Sequence, residues 1–336
     1  MNTSASTVEL RPLLLELAEQ FGREICGRVL EFARERGGRE VLGTVAGREI
    51  TEDVYRGIDR ECQEIFWQTC QEFVSRGLRI RIISEHALEE HQHQPENPNV
   101  ICYLDPFDGT DQFAKGIWEA WYSVFSFTTM DNQPLAGGCI DLIAGILYIA
   151  DAGNKVVKRT YLETGETSIV SPSSATELSG ESVVASYKGK WRYLMPWILM
   201  VSGHFAQERF RGITHYSWGG SFVYALLAAG VIEVYIMPGE PTDEIRPGRA
   251  FADAANLYLC SVTQGGVLRL FTWSQKRRVT FFVAAANEQL ARSVVGGIWG
   301  TRDEGQDRKG FTARVKRKVS NVFSRPRIGR LFLVSR

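Results

Sequence analysis

Val100-Ile101-Cys102-Tyr103-Leu104-Asp105-Pro106-Phe107-Asp108-Gly109-Thr110 is an apolar run that ends in two carboxylates three residues apart. The run predicts a strand over Val100–Leu104, and Pro106 presets a tight turn at its end. Two hard oxygen donors this close suit a Mg²⁺-type ion, which prefers carboxylates, carbonyls and water. Gly109 lets the backbone approach a ligand closely. Thr110 stands where a helix would begin, and free N–H groups at a helix start favour a phosphate. The same residues also suit an ordinary β-turn, because Asp, Pro and Gly are the usual turn formers.

Three more acids follow an order along the chain. Ile82-Ile83-Ser84-Glu85 is an apolar stretch ending in a carboxylate ahead of Asp105. Asp59 lies in the helix-like segment Asp53–Arg60, and Asp253 lies in Ala252-Asp253-Ala254-Ala255-Asn256, ahead of the turn Gly265-Gly266. Each alone reads as a solvated acid; together they form a set.

The set resembles that of the inositol monophosphatase-like superfamily of Mg²⁺-dependent, lithium-sensitive phosphatases, which includes archaeal and bacterial fructose-1,6-bisphosphatases and nucleotide 3′-phosphatases. Asp105–Thr110 resembles the family's D-P-[IL]-D-G-[TS] box, with Phe107 in the aliphatic slot. Ser84-Glu85-His86 resembles its G-E-E segment, and Trp218-Gly219-Gly220-Ser221 through Glu233-Val234-Tyr235 resembles its G-[ST]-A-A helix and D-A-Y strand. Asp253 through Gly265-Gly266 resembles W-D…E-A-G-G at matching spacing, and Ala284-Ala285-Ala286-Asn287 the terminal strand. The resemblance covers roughly residues 10–296 and implies a layered α-β-α-β-α sandwich, of α+β or α/β class.

By that resemblance Glu85, Asp105 and the Phe107 carbonyl would bind a first Mg²⁺, and Asp105, Asp108 and Asp253 a second. Two or three ions per site are implied, with Mn²⁺ able to substitute. Thr110 with Asp59 would orient and help deprotonate the attacking water, with Glu85 also in the catalytic set. Gly109, Thr110, Gly220 and Ser221 would meet the phosphate or substrate. A metal pair can clamp attacking and leaving oxygens, and phosphoryl transfer mostly needs such positioning and charge neutralisation. The implied substrate is a small phosphorylated metabolite, and the implied assembly a homodimer.

The chain departs from the family pattern at several points. His86 replaces a second Glu, and Ala252 replaces the Trp before the late Asp. About nine extra residues follow Pro238, and they include Asp243, a rival to Asp253 that follows Pro-Thr as the family's Asp follows Pro-Trp. Asp253 is preferred because its spacing to Gly265-Gly266 fits without a gap. The family's inositol-binding Glu would fall near Ile236, which argues against a strictly inositol-specific pocket. Arg246 and Arg249 are candidates for a second phosphate or are solvated loop charges, and Asp111 is expected to point outward.

The 336 residues suit two subdomains, and 44% hydrophobic with 23% charged residues is a globular composition. Net charge is zero, yet from Gly310 onward there are eight Lys/Arg and no acid, so residues 1–309 hold the compensating excess of acid. Six cysteines (Cys26, Cys62, Cys70, Cys102, Cys139, Cys260) lack C-x-x-C spacing. They read as reduced, mostly buried thiols, not a zinc site or disulfide framework. No signal-like N-terminus or spanning apolar stretch is seen, so a cytoplasmic protein is expected.

Helical spacing is predicted over Leu10–Arg36 and Asp53–Arg76, followed by strands in an antiparallel meander to Ala150. After a loop near Pro172, helix and strand patterns alternate, among them Trp191–Phe205, Val231–Met237, Phe251–Cys260 and Val279–Ala285. The expected division is an α+β subdomain over 1–185, an α/β subdomain over 186–299 and a basic tail over 300–336, with the site at the subdomain boundary. The tail reads as solvated, or as a contact for an anionic membrane or nucleic acid. The leading reading is a phosphatase. The rivals are a non-catalytic binding protein that keeps the fold and an adaptor acting through the tail.

Overall fold

The computed structural model describes residues 7–35, 37–44, 54–84, 95–205, 211–263, 267–273 and 279–299. Helix α1 (Thr7–Arg34) repeats apolar residues at steps of three and four, which puts Leu10, Leu14, Leu17, Phe21, Ile25 and Val29 on one buried face. Val41–Thr44 (β1) and Val54–Arg56 (β2) form a small antiparallel ribbon, so the second helix starts later than its apolar pattern. That helix, α2 (Gly57–Val74), is closed at its start by Asp59, whose carboxylate accepts the Arg56 N–H at 2.7 Å.

Seven strands then lie side by side in chain order: β3 (Ile80–Ser84), β4 (Val100–Asp108), β5 (Tyr122–Thr128), β6 (Pro134–Asp141), β7 (Ile146–Asp151), β8 (Val156–Tyr161) and β9 (Thr167–Val170). From β4 to β9 the neighbours are antiparallel, as the meander expectation has it. β3 departs from that pattern. It pairs parallel with β4, which the long connection over 85–99 permits. A short helix, α3 (Thr110–Ala114), joins β4 to β5.

The second sheet has the order β11 (Thr214–Tyr216), β10 (Val183–Ala185), β12 (Val234–Glu240), β15 (Val279–Ala285), β13 (Tyr258–Val262), β14 (Leu268–Leu270). Its helices are α4 (Trp191–Met200), α5 (Ser202–Phe205), α6 (Val223–Ala228), α7 (Thr242–Ile245), α8 (Arg249–Ala254) and α9 (Glu288–Trp299). The helical pattern expected over Trp191–Phe205 is thus split in two, and Phe251–Cys260 divides between α8 and β13.

The layers are α-β-α-β-α, the expected sandwich. α1 and α2 cover one face of the first sheet, where Phe21 meets Phe66 at 4.9 Å and Phe125 at 5.4 Å between ring centroids. α6 and α8 fill the space between the sheets, in a core that runs from Val124, Cys139 and Tyr148 to Tyr235, Met237 and Phe282. The outer face of the second sheet, with Val184, Val234, Ile236 and Val283, is covered by Leu290, Ala291 and Val294 of α9. Each fully buried Leu, Val or Phe contributes about 1.5–3 kcal/mol, so every layer is secured by its own apolar face. Five of the six cysteines are buried, and all six are unbridged.

The basic tail lies outside the described residues. Among the described residues no helix is long and apolar enough to cross a membrane.

Candidate active site

β4 does not stop at Leu104. It runs on to Asp108, with a register irregularity between Asp105, opposite Val124, and Asp108, opposite Tyr122. Three steps on β4 therefore match two on β5, which is a β-bulge. In a regular strand residues three apart point to opposite faces; the extra residue brings Asp105 and Asp108 to the same cavity. Pro106 falls inside the bulge, one of the few places in a sheet where its missing N–H is tolerated. Phe107 anchors the bulge from below, 1% exposed and packed edge-on against Phe113 at 5.6 Å.

The Asp105 and Asp108 side chains are hydrogen-bonded to each other. Burial raises the Asp108 pKa well above its ordinary value, and the nearby Glu244 charge adds to the rise. The backbone N–H groups of Ser221 and Phe222 oppose it by donating to Asp108, Phe222 at 3.4 Å. Gly220 has a φ of +111°, and a Cβ there would overlap the Asp108 carboxylate, so glycine is required. Tyr122 stacks on Phe222 at 4.2 Å and fixes this junction.

Thr110 begins α3 after Gly109, which has a φ of +118°. Its hydroxyl is 2.9 Å from Asp59 Oδ1 and 3.0 Å from the Phe107 carbonyl oxygen. One hydroxyl proton serves two acceptors, so Thr110 donates to one at a time. Asp59 is fully buried, with its other oxygen fixed by Arg56 N–H.

The structure thus brings together Asp59, Asp105, Phe107, Asp108, Gly109, Thr110 and Gly220. Ser221 stands beside them: its hydroxyl donates to the Glu244 carbonyl at 2.9 Å, and its N–H donates to Asp108. Asp253 is corrected. It sits on α8 with its carboxylate 2.5 Å from Lys155 Nζ, and it does not line the cavity. The extra residues after Pro238 explain this: they form α7 and a turn, so α8 starts later and packs on the first sheet, where Ser126 Oγ accepts the Ala250 N–H at 2.9 Å. Asp243 lies in α7; its side chain is outside the description, as are Glu85, His86 and Gly265-Gly266.

Sequence reasoning missed Glu240 and Glu244, which line the cavity from the end of β12 and from α7. Glu240 is 1% exposed and accepts the Tyr235 hydroxyl at 3.1 Å. Their place directly after the D-A-Y-like strand was the available signal. Asp111 also lines the cavity, against expectation, because Lys190 Nζ draws its carboxylate to 3.3 Å. Arg246 and Arg249 do not line it. Their guanidinium groups lie over the rings of Tyr103 at 5.3 Å and Trp273 at 4.7 Å. Ile236 faces the outer core, and Met237 faces the cavity.

Asp105, Asp108, Asp111, Glu240 and Glu244 share this cavity with only two cations among its described lining residues, Lys190 and Arg192. A phosphate could not enter so acidic a space without further positive charge, and clustered carboxylates are the donors hard divalent ions prefer. The donor set therefore fits Mg²⁺ or Mn²⁺. Among the described residues no group of three His, Cys, Asp or Glu is close enough to hold an ion, so Asp105 and Asp108 form a pair that other ligands would complete.

The sequence profile of the inositol monophosphatase family matches residues 12–245, a span that contains the cavity residues and ends before Asp253. No curated protein matches the chain by sequence. Solved structures with the same fold include the extragenic suppressor protein SuhB of Bartonella henselae, at 13% identity and TM-score 0.61, covering 88% of this chain and 100% of that one. Thermotoga maritima inositol monophosphatase follows at 14% identity and TM-score 0.58, covering 85% and 95%. Inositol monophosphatase-II of Staphylococcus aureus has 16% identity and TM-score 0.57, covering 93% and 100%.

Proposed function

The chain belongs to the inositol monophosphatase family, and from that premise we propose that it is a Mg²⁺-dependent phosphatase hydrolysing a small phosphomonoester, a sugar or polyol phosphate. The observation that carries the reading is the Thr110 hydroxyl, held by buried Asp59 beside the paired carboxylates Asp105 and Asp108. Asp105, Asp108 and the Phe107 carbonyl would hold the cations, with Glu85 completing the set; Asp243 replaces Asp253 as the late-chain candidate. Bound Mg²⁺ or Mn²⁺ would neutralise the phosphate and make water a stronger acid.

Asp59 accepts the Thr110 proton, so the Thr110 oxygen keeps its lone pairs for a water proton and aims that water at phosphorus. The N–H groups of Gly109 and Thr110 would hold non-bridging phosphate oxygens. Met237, in place of an acid facing the cavity, leaves no carboxylate at that point for inositol hydroxyls. A homodimer and a cytoplasmic setting are parts of the same proposal.

The test is phosphate release from a panel of small phosphomonoesters with and without Mg²⁺. Mg²⁺-dependent turnover that disappears in Asp108→Asn is expected. A folded wild-type protein that releases phosphate from none of them would establish the non-catalytic reading instead.

A further inference from the structure

We propose that the outward face of α4 and the basic tail together seat the protein on an anionic membrane surface. The proposal stands apart from the phosphatase reading and does not need it.

No Asp, Glu, Lys or Arg occurs from Tyr193 to Gln207, so α4 is apolar on both sides. One side packs inward through Tyr193, Trp197 and the following Val201. The opposite side repeats Trp191, Leu194, Met195 and Ile198 at steps of three and four. Trp191 is 71% exposed, Ile198 44%, and the adjoining Leu199 38%. Arg192 is the one charged residue of α4, and its guanidinium lies over the ring of inward-facing Tyr193. A helix that is apolar on every side is ordinarily covered on every side, and exposed apolar patches mark contacts with a partner or a membrane.

The tail starts from the same layer. Val294, Val295 and Ile298 of α9 share one apolar cluster with Trp197, Val201 and Phe205. Residues 300–336 follow directly on the end of α9. In sequence, Phe311, Val315, Val319 and Val322 recur at steps of four and three, with Arg314, Lys316, Arg317 and Lys318 between them. Leu331-Phe332-Leu333-Val334 then follows Arg330. Cations interleaved with Val, Phe and Leu suit a headgroup layer, where charge meets lipid phosphate and apolar side chains enter the acyl boundary. A nucleic acid would take the cations and leave the face from Trp191 to Leu199 uncovered. A second copy of the chain would cover that face without using the apolar residues of the tail. Lying in the interface needs no spanning helix, and among the described residues none is long and apolar enough to be one.

The experiment is co-sedimentation of the full chain with vesicles of phosphatidylcholine, and with vesicles of phosphatidylcholine and phosphatidylserine in equal parts. The wild type is expected to partition onto the mixed vesicles about tenfold or more above the neutral ones. Trp191→Ser/Ile198→Ser removes only exposed side chains, so it should fold as the wild type does, and its partition should fall by about tenfold or more. Lys316→Gln/Arg317→Gln/Lys318→Gln should cut the preference for phosphatidylserine severalfold. Wild type that sediments with neither vesicle overturns the proposal. So does a Trp191→Ser/Ile198→Ser protein that binds as the wild type does, which would leave the tail acting alone. A dimer that dissociates in that variant, with vesicles ignored, would give the face to a second copy and overturn the proposal as well. Duplex DNA bound in preference to the mixed vesicles would do the same for the tail. Leu199→Ser alone serves if the double variant does not fold.

Discussion

The Thr110 hydroxyl meets Asp59 Oδ1 at 2.9 Å, although the two residues are 51 positions apart and belong to different layers. α2 delivers Asp59 through its own helix start, and the β4 bulge delivers Thr110. Thr110→Val keeps the shape and removes the proton. Its Mg²⁺-dependent kcat is expected to fall by about 10²–10⁴, the usual span for a lost proton-transfer group. Thr110→Ser should keep most of the rate. Stability should fall by only about 1–3 kcal/mol, the cost of leaving Asp59 short of a donor. A Thr110→Val enzyme with wild-type kcat would remove Thr110 from the chemistry.

Gly220→Ala forces a side chain into the left-handed region and against the Asp108 carboxylate. A loss of about 1–3 kcal/mol is expected from the backbone alone. Thermal melts with added Mg²⁺ provide the check: the wild type should gain stability from the ion, and the variant should gain little.

Asp253→Asn breaks only the partly exposed pair with Lys155, so stability should change by less than about 1 kcal/mol. Mg²⁺-dependent turnover should stay close to wild type. Glu244→Gln should weaken Mg²⁺ by about tenfold or more, as outer partners of metal ligands do. If the Asp253 variant were the one to lose its metal, the assignment drawn from α8 would be reversed.

Asp108 holds its proton above the ordinary carboxylate value of 3.8 because burial and Glu244 disfavour its charge. A raised folded-state pKa contributes stability below that ordinary value and loses it as pH rises through the folded value. An ion must displace the proton, so Mg²⁺ affinity should fall with falling pH. Calorimetric titration in two buffers of different ionisation enthalpy should show proton release, absent in Asp108→Asn.

His215 behaves in the opposite sense. Burial, helped by Lys188 2.8 Å away, lowers its pKa from 6.5 to about 4. The unfolded chain therefore takes up a proton between those values while the folded one does not, and stability should decline as pH falls from 6.5 to about 4. Urea melts across that window should show a shallower slope for His215→Gln; an unchanged slope would assign the acid sensitivity elsewhere.

The layers were legible wherever apolar periodicity was long, as in α1 and in β4 to β7. β8 escaped because its apolar alternation is broken by Lys158 and Arg159, and β9 because it is only four residues long, Thr167–Val170. The hexapeptide pointed to the site, but not to the strand that carries it through a bulge, since a turn and a bulge draw on the same residues. Asp253 misled because spacing was counted back from Gly265-Gly266, while the chain spends its extra residues on α7. Lys190 and Arg192 carry no motif.

Asp108 travels on the first sheet, yet the N–H groups that grip it belong to Ser221 and Phe222, beneath the second. Neither sheet by itself completes the surroundings of this carboxylate: its burial and its two backbone donors come together only when both sheets have docked.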